Sequence, residues 1–125
     1  MIKHWSHPET GLGIDIESSS RFDNLDRTTD TLFLDTIFTA SELDYCFASV
    51  DPAPHLAVRF AAKEATIKAL GSLGLGKVSL PYIEITLEQS GAPVLSVRNV
   101  TGLQTHVSLS HHATVAVAVV ILYKY

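Results

Sequence analysis

The sequence is poor in the features that cross-link a chain or carry it through a membrane. Cys46 is the only cysteine among 125 residues, so no disulfide can form within the chain, which fits a reducing compartment. The longest apolar stretch, residues 115–123, is only nine residues long. A membrane helix needs about 20 such residues, so this stretch predicts a buried strand instead.

Basic charge is also scarce. The chain has 9 Lys+Arg against 13 Asp+Glu, a formal net charge of −4, and no run of lysines or arginines. This composition argues against a nucleic-acid-binding protein. The first eleven residues contain no apolar core of the kind found in signal peptides, so we expect a cytoplasmic protein without a membrane anchor.

What the chain does contain is typical of one folded domain, and we assign residues 1–125 to a single domain. A hydrophobic content of 46% with 18% charged residues excludes a disordered chain. A chain of this length can bury roughly two thirds of its unfolded surface.

The hydrophobic pattern predicts a strand, then helices, then a sheet. Residues 11–17 are predicted as the first strand, and a helix should begin at the capping-box pattern Thr39–Glu42. Residues 55–70 repeat every 3.6 positions and predict a long helix ending at Gly71. The intervening segment is ambiguous; one helix face there would contain Phe22, Leu25, Leu32, Phe33 and Ile37.

After the long helix the period changes to two residues. Four strands are predicted, with a hairpin turn at Ser90-Gly91 and another connection at Gly102. They span residues 78–88, 94–98, 105–110 and 115–123. The predicted fold class is α+β, with the long helix packed against a mainly antiparallel sheet.

Two carboxylates are candidates for chemistry. Glu64 and Lys68 are four residues apart on the long helix, which by itself indicates a surface ion pair. Asp15 alternates with Ile14 and Ile16, which by itself indicates a side chain facing solvent. If the helix instead lay against that face of the strand, Asp15 and Glu64 would form a pair of oxygen ligands suited to Mg²⁺.

A third cluster is His106-Val-Ser-Leu-Ser-His111, followed by His112. The spacing matches no common zinc site, and Cys46 stands alone in the sequence. No nucleophile-elbow pattern surrounds either serine. A histidine pair at a strand end is more often structural than catalytic.

Three segments together resemble a known family. Gly13-Ile-Asp-Ile-Glu17, Arg59-Phe-Ala-Ala-Lys-Glu-Ala65 with Lys68-Ala-Leu-Gly71, and the His106–His111 segment look like the signatures of holo-acyl-carrier-protein synthases. These are the short 4′-phosphopantetheinyl transferases. Order, spacing and total length all agree with that family.

The resemblance implies an enzyme that moves 4′-phosphopantetheine from coenzyme A to a serine of an apo acyl or peptidyl carrier protein, releasing 3′,5′-ADP. It implies that Asp15 and Glu64 bind Mg²⁺ and that Lys68 assists transfer near the phosphates. Lys63 and His111 would contact coenzyme A, and Arg21 the carrier. Short members of the family are typically homotrimers. The general base stays open between Glu17, a metal-bound water and another carboxylate.

The chain departs from the family pattern at one hairpin, where Gly91-Ala92-Pro93 replaces Gly-Lys-Pro and removes a cationic contact. Two other functions are considered. One is a non-catalytic coenzyme A or carrier-protein binding domain of the same fold. The other is a hotdog-type thioester-binding domain, which would be dimeric and independent of metal.

Overall fold

The computed structural model describes residues 9–125; most of the segment considered above as a signal peptide lies outside them. The described chain contains five strands, three α-helices and two 3₁₀ turns. In order these are β1 (Glu9–Ser18), a 3₁₀ turn (Ser19–Phe22), α1 (Thr31–Asp35), α2 (Ala40–Phe47), α3 (Ala53–Ser72), a 3₁₀ turn (Leu80–Tyr82), β2 (Ile83–Leu87), β3 (Pro93–Val97), β4 (Leu103–His112) and β5 (Val115–Lys124). The α+β prediction is confirmed.

The strands form two antiparallel sheets. One has the order β1-β5-β4, and the other is the hairpin of β2 and β3. The hairpin turns at Gly91, which has a φ of 88° and donates its amide hydrogen to the Glu88 carbonyl, as predicted from Ser90-Gly91. The Gly102 connection also has a positive φ, 74°.

Helix α3 lies directly on β1 because two glycines of that strand face it. A Cβ on Gly13 would be 1.8 Å from the carbonyl oxygen of Ala65, and one on Gly11 would be 2.4 Å from that of Ala69. Only hydrogen fits at both positions. The close approach therefore depends on glycine at every second residue of the strand and on alanines along the helix.

The two sides of β1 face in the directions opposite to those that its alternating sequence predicts, with the polar side towards the protein and the apolar side towards solvent. Gly11, Gly13 and Asp15 face α3, whereas Ile14 and Ile16 are 59% and 66% exposed. The expectation that Asp15 points to solvent is therefore wrong. With neighbours on β5, the exposed apolar side of β1 forms what we call the outer face: Leu12, Ile14, Ile16, Val117, Val119 and Ile121.

The helix boundaries agree with the sequence at their starts more than at their ends. α2 begins with the predicted capping box, in which Thr39 Oγ1 accepts from the Glu42 amide and Glu42 Oε1 accepts from the Thr39 amide. α3 does not end at Gly71 but continues to Ser72, and Gly74 adopts the positive φ of 69° that follows. No helix in residues 9–125 is long and apolar enough to cross a membrane.

The ambiguous segment before α2 is mostly turns. Phe22, Leu34 and Phe38 enter the core beside α3. Leu32 is 85% exposed and Phe33 44%, so the predicted apolar helix face there is wrong. Asp26 organises this loop by accepting from the Thr28 and Thr29 amides.

Candidate active site

Asp15 is held at the edge of the sheet, where α3 crosses β1. Its Oδ1 accepts a hydrogen bond from Lys68 Nζ at 3.1 Å, and the same ammonium donates to the Ile14 carbonyl at 2.9 Å. The Asp15 side chain is only 13% exposed, whereas that of Lys68 is 56% exposed. The cation therefore approaches from solvent, while the carboxylate faces the helix.

Glu64 lies one turn before Lys68 on α3 and is half-buried. The surface ion pair expected between these two residues does not form, since Lys68 pairs with Asp15. Glu64 makes no ion pair with any residue from 9 to 125. Its carboxylate is thus available on the side of the helix that carries Lys68.

Glu17 adds a second carboxylate on the same side of β1. Partial burial raises the pKa of Glu17, and the neighbouring Asp15 carboxylate raises that pKa further. Arg21 counteracts this, with Nη1 3.3 Å from Glu17 Oε2 and its guanidinium 4.7 Å from the centre of the Phe60 ring. The site therefore has a local excess of negative charge that a cation would relieve.

These carboxylates fit a magnesium ion. Asp15 Oδ2 is buried and has no hydrogen-bond partner, so its lone pairs are free to coordinate. Hard carboxylate oxygens, few in number, are how proteins hold Mg²⁺ when waters and substrate phosphates supply the remaining ligands. In the described chain no group of three or more His, Cys, Asp or Glu side chains is assembled for a metal.

A second polar feature centres on Arg59, which the sequence places in a family motif without predicting a role for it. Arg59 is 3% exposed on α3, stacks over the Tyr45 ring at 4.3 Å, and donates from Nη1 to the His55 carbonyl at 3.2 Å. Its Nε has no partner. A guanidinium so buried and incompletely bonded can receive an anion. The sequence signal for the burial of Arg59 was the alanines around it, because a helix with small residues on most sides packs against neighbours on most sides.

Beside Arg59 lies a cavity of about 270 Å³, which we call the anion cavity. It is lined by Ser41 and Tyr45 of α2, Arg59 of α3 and three residues of β2, Ile85, Thr86 and Leu87. Across the described residues Arg59 forms no ion pair with a carboxylate. The cavity thus offers positive charge without a built-in counterion.

Two histidines lie near Arg59. Burial lowers the pKa of His55, and the charges of Arg59 and His111 lower it further. The His55 ring also contacts that of Tyr45 edge to face, 5.7 Å between centres. His111 and His112 end β4 on the surface. The structure therefore brings His111 towards the Arg59 region, while His106 stacks against Tyr123 elsewhere.

The predicted contact between Lys63 and coenzyme A does not fit the structure. Lys63 is fully buried, its Nζ 2.7 Å from Glu42 Oε1, and it donates to the carbonyls of Leu80 and Ile83. Burial lowers the pKa of this ammonium, and the Glu42 carboxylate opposes that shift. The lysine is committed to the core, because an unpaired buried charge would be too costly.

Cys46 lies in the core and is not a lining residue of the anion cavity. It is fully buried, and burial raises the pKa of its thiol to about 11. The thiolate is the reactive form of cysteine, so this residue is inert at neutral pH. Ala92, where the family pattern has lysine, lies in the β2–β3 turn and accepts from the Glu88 amide.

The chain and its fold are similar to those of known transferases. A family model of the 4′-phosphopantetheinyl transferase superfamily matches residues 11–120. The holo-[acyl-carrier-protein] synthase of Geotalea daltonii is 38% identical over 122 residues, covering 91% of this chain and 98% of that protein. The enzyme of the same name from Syntrophus aciditrophicus is 40% identical over 121 residues, covering 90% and 94%.

Solved structures agree. The holo-(acyl-carrier-protein) synthase of Bacillus anthracis, in complex with CoA (3′,5′-ADP), matches with a TM-score of 0.74 and 31% identity over 92% of this chain and 96% of that one. The Helicobacter pylori enzyme in complex with coenzyme A matches with a TM-score of 0.72 and 28% identity over 89% of this chain and 98% of that one. These matches do not support the hotdog alternative. Sequence and fold agree that this chain belongs to the 4′-phosphopantetheinyl transferase superfamily.

Proposed function

We propose that this protein transfers 4′-phosphopantetheine from coenzyme A to a serine of an apo carrier protein, with Mg²⁺ bound, and releases 3′,5′-ADP. The observation that carries the proposal is the state of the Asp15 carboxylate. One of its oxygens is held by Lys68 and the other is buried without a partner. The oxygen without a partner is suited to binding a metal ion, and the neighbouring Lys68 ammonium is suited to binding a phosphate.

In this reaction the serine oxygen forms a bond to the β-phosphorus of coenzyme A. The bond from that phosphorus to the oxygen retained by 3′,5′-ADP breaks. Asp15 and Glu64 would hold Mg²⁺, which when bound neutralises charge on the pyrophosphate. Lys68 supplies positive charge to the same phosphates. Of the neighbouring carboxylates, Glu17 has the raised pKa that favours accepting the serine proton.

The anion cavity supplies a second anchor for the same substrate. Coenzyme A carries a 3′-phosphate as well as its pyrophosphate, so it needs positive charge at two places. Arg59 and the nearby His111 satisfy that need without a competing carboxylate. The contact assigned to Lys63 by resemblance is therefore proposed for Arg59 instead.

We further propose that the protein assembles through its outer face, as a homotrimer. Leu12, Ile14 and Ile16 are each more than half exposed on one flat strand, an arrangement typical of an interface. A cleft of about 440 Å³ joins this face to the candidate site, since Ile14, Ile16 and Val117 line it together with Asp15 and Lys68. A neighbouring copy on the outer face would thus close one side of the site.

Arg21 is the proposed contact for the carrier protein. Its side chain is 55% exposed beside the site, so an acidic partner can reach it. Arg27, the other arginine of this region, already pairs with Asp44. Arg21→Ala should raise KM for the carrier and leave kcat nearly unchanged.

Both substrates and the single reduced thiol fit a cytoplasmic location.

The test is incubation of an apo carrier with coenzyme A, Mg²⁺ and the protein, followed by mass spectrometry of the carrier. Addition of one phosphopantetheine to the carrier serine is the expected result, with 3′,5′-ADP found in the supernatant. Replacing that serine by alanine in the carrier is the control. An unmodified carrier from a protein that still binds coenzyme A would instead indicate the non-catalytic binding domain.

A further inference from the structure

A buried ion pair joins the three elements that surround the anion cavity. Glu42 of α2 and Lys63 of α3 are both fully buried, with Oε1 and Nζ 2.7 Å apart. Glu42 Oε2 accepts from the Ile85 amide of β2 at 2.9 Å. Lys63 also donates to the carbonyl of Ile83, at the start of β2. Each partner is thus bonded both to the other and to the same strand.

The same three elements supply the walls of the cavity. Ser41 and Tyr45 lie one residue before and three residues after Glu42 on α2. Arg59 lies one turn before Lys63 on α3. Ile85, which donates its amide to Glu42, is itself a lining residue. Any change in the separation of the paired groups would therefore change the width of the cavity.

We propose that the Glu42–Lys63 pair is a positioning device that sets the spacing of Arg59 and Tyr45, and with it the affinity for the phosphate-bearing end of coenzyme A. The inference rests on the function proposed above. Neither residue lines the cavity, so both act only through the walls.

The energetics of buried charge support a positional role. A buried ion pair adds little net stability, because desolvation offsets the attraction, yet removal of one partner leaves an uncompensated charge. That remaining charge pulls its element toward water or another partner. Here the elements that would move are the cavity walls, so the loss should be felt in binding as well as in stability.

The experiment measures binding of coenzyme A and of 3′,5′-ADP by calorimetry, on protein shown to be folded by circular dichroism at the titration temperature. The variants are Lys63→Met, which keeps length without charge, and Glu42→Gln, which keeps shape and one acceptor. The control is Leu122→Ala, which creates a cavity in the core beneath β5, a strand that contributes no lining residue to the anion cavity. This control distinguishes a loss of affinity caused by lower overall stability from one caused by a displaced wall of the anion cavity.

Lys63→Met should weaken binding of both ligands about tenfold or more, the scale of loss when a supporting residue of a site is removed. Leu122→Ala should bind them as the wild type does. If Lys63→Met is not folded, Glu42→Gln carries the same expectation. A folded variant of either residue with wild-type affinity overturns the inference while leaving the proposed function intact. A wild-type protein that binds neither ligand overturns the proposed function, and the inference with it.

Discussion

Lys68 Nζ bridges the Asp15 carboxylate and the Ile14 carbonyl across the contact between α3 and β1. Lys68 therefore pairs with a residue of the edge strand β1 and not with Glu64, one turn away on its own helix. Glu64 remains without an ion pair among residues 9–125. A cation and a carboxylate thus meet at one point of the surface, with one carboxylate oxygen, Asp15 Oδ2, buried and unbonded.

Removal of either proposed metal ligand should abolish transfer. Asp15→Ala and Glu64→Ala each delete one hard ligand from a site with few protein ligands. Mass spectrometry of the carrier measures the product, and circular dichroism checks that each variant is folded. Glu88→Ala, at an exposed carboxylate outside this site, is the matched control and should retain activity. Full wild-type activity in excess chelator would contradict the metal model.

Lys68→Ala should lower kcat by about 10²–10³, the range for loss of an electrostatic donor to a developing charge. Its loss of stability should stay below about 1 kcal/mol, because the Lys68 side chain is more than half exposed and solvent screens the pair with Asp15. Kinetics at saturating coenzyme A measure the first effect and urea unfolding the second. Lys68→Arg should recover part of the rate, and Lys77→Ala should behave as wild type. An unchanged kcat would reduce Lys68 to a surface ion pair.

Gly13→Ala should destabilise the protein by at least about 3 kcal/mol, the upper end of the usual cost of overpacking. The added Cβ would stand 1.8 Å from the Ala65 carbonyl oxygen, which is backbone and cannot rotate away. The free energy of unfolding measures the loss. Gly71→Ala is the control, since a Cβ there meets no atom within 4 Å, and it should stabilise α3 by about 0.5–1 kcal/mol. Equal effects at the two glycines would argue against close contact of α3 and β1.

Coenzyme A should bind more tightly as the pH falls from 8 towards 6. The pKa of His55 is held below its ordinary 6.5 by burial and by the charges of Arg59 and His111, so the free protein disfavours the charged imidazole. A phosphate in the anion cavity would raise that pKa, so binding takes up a proton. NMR titration of His55 with and without 3′,5′-ADP measures the shift. His55→Gln should flatten the pH dependence. Any dependence that remains in this variant is due to titration of the ligand itself. A His55 pKa that is unchanged or lower with ligand would contradict a phosphate at this cavity.

The same lowered pKa has a consequence for stability without ligand. The unfolded chain binds a proton at His55 more readily than the folded chain does. The contribution of neutral His55 to stability is therefore complete above pH 6.5 and is lost as the pH falls through 6.5 towards the lowered value. Unfolding curves at several pH values, compared with those of His55→Gln, would detect it.

Local patterns were sufficient for much of the fold. The capping box at Thr39 and Glu42, the long alanine-rich helix and the glycine of the β2–β3 hairpin each act within a few residues, so their signals are readable in order along the chain. Where competing local choices were close in energy, prediction was weaker. Leu32 and Leu34 are equally apolar, and only packing against α3 decided that Leu34 is buried.

By itself, the sequence determined the elements, their α+β arrangement and the family motifs that pointed to Asp15, Glu64 and Lys68. Tertiary structure alone decided which side of β1 faces α3, because Gly11 and Gly13 permit a helix to approach and isoleucine does not. It also decided the partners of the charges: Lys68 with Asp15, Lys63 with Glu42, and Arg59 beside an open cavity. An ion pair depends on where the backbone carries each group in space, and residues 53 positions apart acquire that relation only when the chain is packed.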